Sequence, residues 1–325
     1  MLFGQQLCGK RTRSHKLGAA ASTMGQPLDF DHDGRDWPNR NASRFFTAGR
    51  VRFHVQMFGF GDNRAPKPVL LLIHGTGSST HSWRRIIPLL ETAFAIVVPD
   101  LPGHGFSSNP GNENLTLSGM AADVSQLMQT LGIVPDVLAG HSAGAAIAIR
   151  ATLDRGLTPR AIVSLNGALF PFGGSLGQLF APLSKAIFTQ SWVANFMAWR
   201  AGSQSAVENL LRGTGSLITA EDIDLYGRLF RNEHHVAAVL AMMANWDLRP
   251  LVKDAARLDV PLTLVTGLND KAIPPTQADA FAKITPDAAV VRLEGLGHLA
   301  HEERPDLVAP VIIKAAQAIA NPIHP

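Results

Sequence analysis

The chain has 325 residues, of which 46% are hydrophobic and 17% charged, with a formal net charge of +3. It is long enough to bury a large core, has no apolar run able to cross a bilayer, and carries too little positive charge for a nucleic-acid face. The single cysteine, Cys8, excludes an intrachain disulfide and suits a reducing compartment, so a cytoplasmic location is expected.

Residues 1–28 are expected to be a disordered tail. Its basic cluster, Lys10, Arg11, Arg13 and Lys16, allows at most peripheral membrane contact, and it lacks the apolar stretch of a secretory signal. Met24 offers an alternative start. Beyond the Asp-rich stretch at 29–41, the alternation in VRFHVQMF (51–58) predicts a half-buried strand. Six short apolar runs follow: VLLLIH (69–74), FAIVVP (94–99), DVLAGH (136–141), AIVSLN (161–166), PLTLVTG (261–267) and AAVVRL (288–293). Such runs predict strands covered on both faces.

Helical patterns separate the runs. The clearest is the stripe Leu117, Met120, Val124, Leu127, Met128 and Leu131, which stops at Gly132. Strand alternating with helix predicts an α/β fold built on a doubly wound, mostly parallel sheet. The alternation breaks over 170–250, which reads as helices without strands, so a helical cap is expected there, with the core in 29–169 and 251–325. The cap's aromatic and methionine side chains, Trp199, Met243 and Trp246 among them, either pack it onto the sheet or wall a pocket for a bulky apolar ligand. Trp83, His141 and Phe170 complete the candidate pocket set.

The chemistry centres on Gly-His-Ser-Ala-Gly at 140–144, directly after one apolar run and before the helical stretch AAIAIRATL. A strand that turns at once into a helix holds its central residue in strained backbone angles and exposes the hydroxyl, so Ser142 is the candidate nucleophile. A serine hydroxyl needs a base within hydrogen-bond reach, and the base needs a carboxylate to fix its tautomer. His298, in the loop after the last apolar run, and Asp270, after PLTLVTG, both open on the edge where Ser142 stands. Asn166 ends an earlier apolar run, and its amide cannot serve as an acid. For a developing oxyanion, the amides of Ala143 and of the HGTG loop (74–77) are the candidate donors, Thr76 first and Gly77 as its alternative.

Other polar residues have simpler readings. His74 and His104 lie beside glycines in tight loops and are expected to make structural hydrogen bonds, and Asp100 is expected to secure its turn. His301 competes with His298 as base or as half of a metal pair, but no third ligand has suitable spacing, and no metal or cofactor is expected. His234 and His235, within a helical pattern, are expected to face solvent. The glycines at 75–77 and 172–174 lack the partners of a phosphate cradle.

HGTG, PDLPGHGFS (99–107), GHSAG, GLND (267–270) and GLGH (295–298) stand in an order that resembles the α/β-hydrolase superfamily from residue 69 to 305. The resemblance implies the α/β-hydrolase fold and a Ser142, Asp270, His298 triad. Ser142 at the nucleophile position disfavours haloalkane dehalogenase and epoxide hydrolase chemistry, whose nucleophile is an aspartate. Stretches that the superfamily does not require, DGRDWPNRNASRFF (33–46), LNGALFPFGG (165–174), MMANWDL (242–248) and GLGHLAHEERP (295–305), resemble the magnesium-chelatase accessory proteins of bacteriochlorophyll biosynthesis. That resemblance implies a role near magnesium insertion into protoporphyrin, with chelatase subunits as partners and a tetrapyrrole-like molecule as the apolar ligand. Three functions stand open: a serine hydrolase acting on an ester or related acyl bond, a non-catalytic porphyrin-binding or chelatase accessory protein, and acyl transfer or cofactor-free oxidation through the same residues.

Overall fold

The computed structural model describes residues 26–61, 67–171, 191–200 and 202–320, without the side chains of 191, 192, 199 and 318–320. The tail expected at 1–28 therefore lies almost wholly outside the described residues. Eight strands form one sheet: β1 (Ser43–Ala48), β2 (Val51–Phe58), β3 (Val69–Ile73), β4 (Ala95–Pro99), β5 (Val137–His141), β6 (Ala161–Leu165), β7 (Leu262–Gly267) and β8 (Ala288–Leu293). Their order is β1-β2-β4-β3-β5-β6-β7-β8. The β1–β2 and β2–β4 pairs are antiparallel and the rest are parallel.

Alternation along the strands divides the core between two faces. On one face, Leu71, Ile73, Leu138 and Ile162 join the apolar sides of α2 (Leu117–Leu131) and α3 (Ala143–Leu153). On the other, Leu70, Leu72, Ala139, Val163 and Leu165 meet α1 (Ile87–Leu90) and the long C-terminal helix α11 (Pro305–Ala320). Burying each large aliphatic side chain contributes about 1.5–3 kcal/mol, which is why the central strands read as unbroken apolar runs. The α2 boundaries follow from local chemistry: the Thr116 hydroxyl accepts from the Gly119 amide, and Gly132 closes the helix at φ +64°.

Two strands differ from expectation. SRFFTA, in β1, pairs with β2 through a two-residue turn in which Gly49 takes φ +55°. As an edge strand, half-exposed along most of its length, it shows no clean apolar run. Edge strand β8 is also largely half-buried rather than covered on both faces.

Between β6 and β7, neighbours in the sheet, every described element is helical. These are α4 (Ser191–Arg200), α5 (Gln204–Arg212), α6 (Ala220–Phe230), α7 (Glu233–Ala244) and α8 (Arg249–Asp254). Helix α7 sends Ala238, Ala241 and Met242 into the first core cluster, so the excursion is anchored directly on the sheet layer. A buried ionic group anchors α6: Arg84 pairs with Asp222, and Tyr226 donates to Glu302 Oε1 at 2.8 Å. Two helices after β7 complete the fold, α9 (Thr276–Ala282) and the short α10 (Ala300–Glu303).

Candidate active site

Ser142 stands between β5 and α3 with φ 52° and ψ −117°, outside the regions that ordinary residues adopt. The turn closes only because its flanking positions lack side chains. A Cβ on Gly140 would lie 2.4 Å from the Gly144 carbonyl oxygen, and one on Gly144 would lie 2.2 Å from that of Ile73. The elbow is tied to the next strand by the Ser142 amide, which donates to the Leu165 carbonyl at 2.9 Å. Strain at a hydroxyl-bearing residue costs about 1–3 kcal/mol, and a fold keeps it where the side chain is used.

Asp270 lies three residues beyond β7, with a fully partnered carboxylate. Oδ1 accepts from the Ala272 and Ile273 amides at 2.8 Å each. Oδ2 accepts from His298 Nδ1 and from Asn166 Nδ2, again at 2.8 Å each. The bond to Asp270 places the proton of a neutral His298 ring on Nδ1 and leaves Nε2 as a free base. The His298 carbonyl accepts from His141 Nε2 at 2.9 Å, and Ser142, Asp270 and His298 are all nearly buried.

A layer of neutral imidazoles underlies this group. The His141 ring packs against His298 and His301, with centroids 4.8 and 4.5 Å apart, and His301 packs on Trp83 at 4.6 Å. Burial pushes the His141 pKa far below its usual value, helped by the neighbouring histidines. Burial likewise lowers His301 to about 3, with His298 and Arg84 adding to the effect. Neither His301 nitrogen has a hydrogen-bond partner among the described residues, and no group of three or more potential metal ligands occurs among them.

The HGTG loop lies against the elbow: a Cβ on Gly75 would come 2.8 Å from His141 Nδ1 and 3.0 Å from Ser142 Cβ. Thr76 is exposed, Gly77 takes φ +75°, and the amides of Thr76 and Ala143 donate to no acceptor among the described residues. The loop is braced from behind. His74 Nδ1 donates to the Gly75 carbonyl and its Nε2 accepts from the Leu101 amide. His104 Nδ1 donates to the Pro102 carbonyl at 3.0 Å. Asp100 accepts from the Thr80 and Phe106 amides and from His54 Nδ1. Burial would raise the Asp100 pKa, but His54, His74 and the Phe106 amide outweigh it and hold the carboxyl at about 2.

Two expectations are corrected here. His235 does not face solvent: it is buried, its Nδ1 accepts from the Gly105 amide, and its Nε2 lies 3.3 Å from the Gly77 carbonyl, joining α7 to two core loops. Trp83 is wholly buried within the second core cluster, beneath the site rather than in a pocket wall. Of the other pocket candidates, His141 supports His298, while Phe170 and Trp246 are half-buried against the first cluster. Met243 is 56% exposed, and the Trp199 side chain lies outside the described residues. The hydrogen bond from Asn166 to Asp270 has no local sequence signal; the two residues follow strands β6 and β7, which are neighbours in the sheet.

Comparison with known proteins matches residues 68–305 to the alpha/beta hydrolase fold family. The chain is 36% identical over 278 residues to the magnesium-chelatase 30 kDa subunit of Rhodobacter capsulatus, covering 86% of this chain and 95% of that protein. It is 28% identical to the uncharacterized hydrolase YugF of Bacillus subtilis (strain 168), covering 82% and 94% of the two chains. An alpha/beta hydrolase fold protein from Burkholderia ambifaria superposes with a TM-score of 0.69 at 22% identity, covering 84% and 97%. The chain belongs to the α/β-hydrolase fold family, and it is similar to the magnesium-chelatase 30 kDa subunit over most of both sequences.

Proposed function

We propose that the protein is a serine hydrolase that cleaves an ester or related acyl bond, with Ser142 as nucleophile, His298 as base and Asp270 as the acid that orients it. The observation that carries this reading is the bond from His298 Nδ1 to Asp270, on the sheet edge where the strained Ser142 turn stands. In the proposed reaction Ser142 Oγ attacks the acyl carbon and its proton passes to His298 Nε2. The oxyanion that forms is held by the amides of Ala143 and Thr76. Collapse breaks the acyl–oxygen bond as His298 returns the proton to the leaving alcohol, giving an acyl-enzyme. Water, deprotonated by the same imidazole, then releases the acid and restores Ser142. A fluorophosphonate probe tests the assignment: the parent protein should label and Ser142→Ala should not, and equal labelling of the two would sink it.

The second reading concerns the setting. The similarity to a protein named as a magnesium-chelatase subunit supports a role at a magnesium-chelatase step, and we propose bacteriochlorophyll synthesis as its setting, with a tetrapyrrole-like ligand and chelatase subunits as partners. In that setting the fold could serve by binding alone. A strain lacking the gene separates the two: restored pigment with Ser142→Ala favours the binding role, and failure to restore it favours catalysis.

A further inference from the structure

A short cap segment between α5 and α6 lies against the loops that carry Asp270 and His298. The amide of Lys271, the residue after Asp270, donates to the Thr214 carbonyl at 3.0 Å. The amides on both sides of His298 are also engaged. Leu299 donates to Ser216 Oγ at 2.8 Å, and Gly297 donates to Glu303 Oε1 at 2.9 Å. The second oxygen of Glu303 accepts from the Leu217 amide at 2.9 Å, so this carboxylate joins the base loop to the cap.

The packing is as close as backbone allows. A Cβ on Gly297 would lie 2.4 Å from the Gly215 carbonyl carbon, and one on Gly215, at φ +87°, would lie 2.0 Å from the Asn269 carbonyl oxygen. Ser216 is 2% exposed, so its bond to the Leu299 amide is shielded from bulk solvent. The cap thus touches the acid loop and the base loop at once, and among the described residues no other cap segment bonds to residues flanking both.

We propose that Thr214–Leu217 is a clamp that holds Asp270 and His298 in register, with Ser216 and Glu303 as positioning residues, so that the acid–base pair is complete only while the cap is seated. The clamp rests on the catalytic reading for its purpose but not for its geometry. A displacement of about 1 Å in a catalytic group costs roughly 100-fold in rate, so loss of one tie should be visible without loss of the fold.

The test uses the full chain with Ser216→Ala, Ser216→Thr and Glu303→Gln. Two readouts are followed: the rate of fluorophosphonate labelling and the low-field NMR resonance of the His298 Nδ1 proton. Ser216→Ala and Glu303→Gln should each label about 10–100-fold more slowly and show that resonance broadened or lost, while Ser216→Thr, which keeps the hydroxyl, recovers both. A general loss of stability would lower the melting temperature without removing the resonance from the folded protein. Should Ser216→Ala fail to fold, Glu303→Gln decides alone. Wild-type resonance and labelling in these variants overturn the clamp. If the parent protein does not label at all, the nucleophile assignment fails, and the resonance still decides whether the cap positions His298.

Discussion

Asn166 and Asp270 follow neighbouring strands, and the side-chain amide of the first donates to the carboxylate of the second at 2.8 Å, on the same oxygen that accepts from His298. The Asn166 amide thus shares with His298 one oxygen of a carboxylate whose other oxygen is held by backbone amides. Asn166 holds φ 48°, a left-handed conformation that asparagine tolerates and most residues do not.

Asn166→Gly separates backbone from side chain. Glycine accepts the left-handed backbone, so unfolding free energy should fall only by the worth of the lost side-chain bond to the carboxylate, about 1.5–3 kcal/mol. The lost bond to a carboxylate should slow labelling of Ser142 by about tenfold or more. An unchanged labelling rate would show that Asp270 needs no help from this amide.

His301 predicts acid sensitivity. Its pKa falls from the usual 6.5 to about 3, so the unfolded chain binds a proton below pH 6.5 that the folded protein refuses. The stability present above pH 6.5 is lost as pH falls toward 3, by about 5 kcal/mol in all. His301→Phe keeps a ring against Trp83 and His141 and removes two unpartnered nitrogens. Urea titrations at pH 7 and pH 4 should show the variant losing less stability than the parent, by about 3 kcal/mol.

Glu302 has the opposite sign. Burial raises its pKa from 4.5 to about 7 against the attraction of Arg84, so the unfolded chain releases a proton that the folded protein keeps. Stability is fullest below pH 4.5 and declines as pH rises through 7, by about 3 kcal/mol. Glu302→Gln stays neutral and still presents an oxygen to Tyr226, so denaturation at pH 5 and pH 8 should differ less than in the parent. A parent protein equally stable at both values would contradict this.

Gly144→Ala should be severe. The added Cβ would lie 2.2 Å from the Ile73 carbonyl oxygen, in backbone at the centre of the sheet. Forcing β3 aside should cost about 3 kcal/mol or more, read as a lowered urea midpoint, with Ser142 labelling lost in whatever remains folded. A wild-type midpoint would show that the elbow can open without harm.

The sequence carries the central strands plainly, because VLLLI, AIVVP, VLAGH and AIVSL are buried on both faces and show no alternation. Ser142, Asp270 and His298 are legible for a different reason: each sits in a short string, and their chain order matches one sheet edge. β1 escapes because half-exposed residues leave no apolar run. His235 escapes because its partners, Gly105 and Gly77, are 130 and 158 positions away. Ser216 and Glu303 are likewise set by pairings 83 and 86 positions apart, a separation at which one sequence gives no local signal.

Helices between β6 and β7 also govern the order of assembly. Ile162 pairs with Leu262 across the sheet, so the entire helical segment must be looped out before that ladder can close, a non-local contact that folds slowly. In a chain made from its N-terminus, the Ser142 elbow can form on β3, β4 and β5 while Asp270 and His298 are still unmade. On that order of synthesis, the strained Ser142 turn is expected to precede the strands that carry Asp270 and His298 to it. On the proposed catalytic reading, hydrolytic competence should be the final property gained in synthesis and the first lost when the C-terminal strands detach.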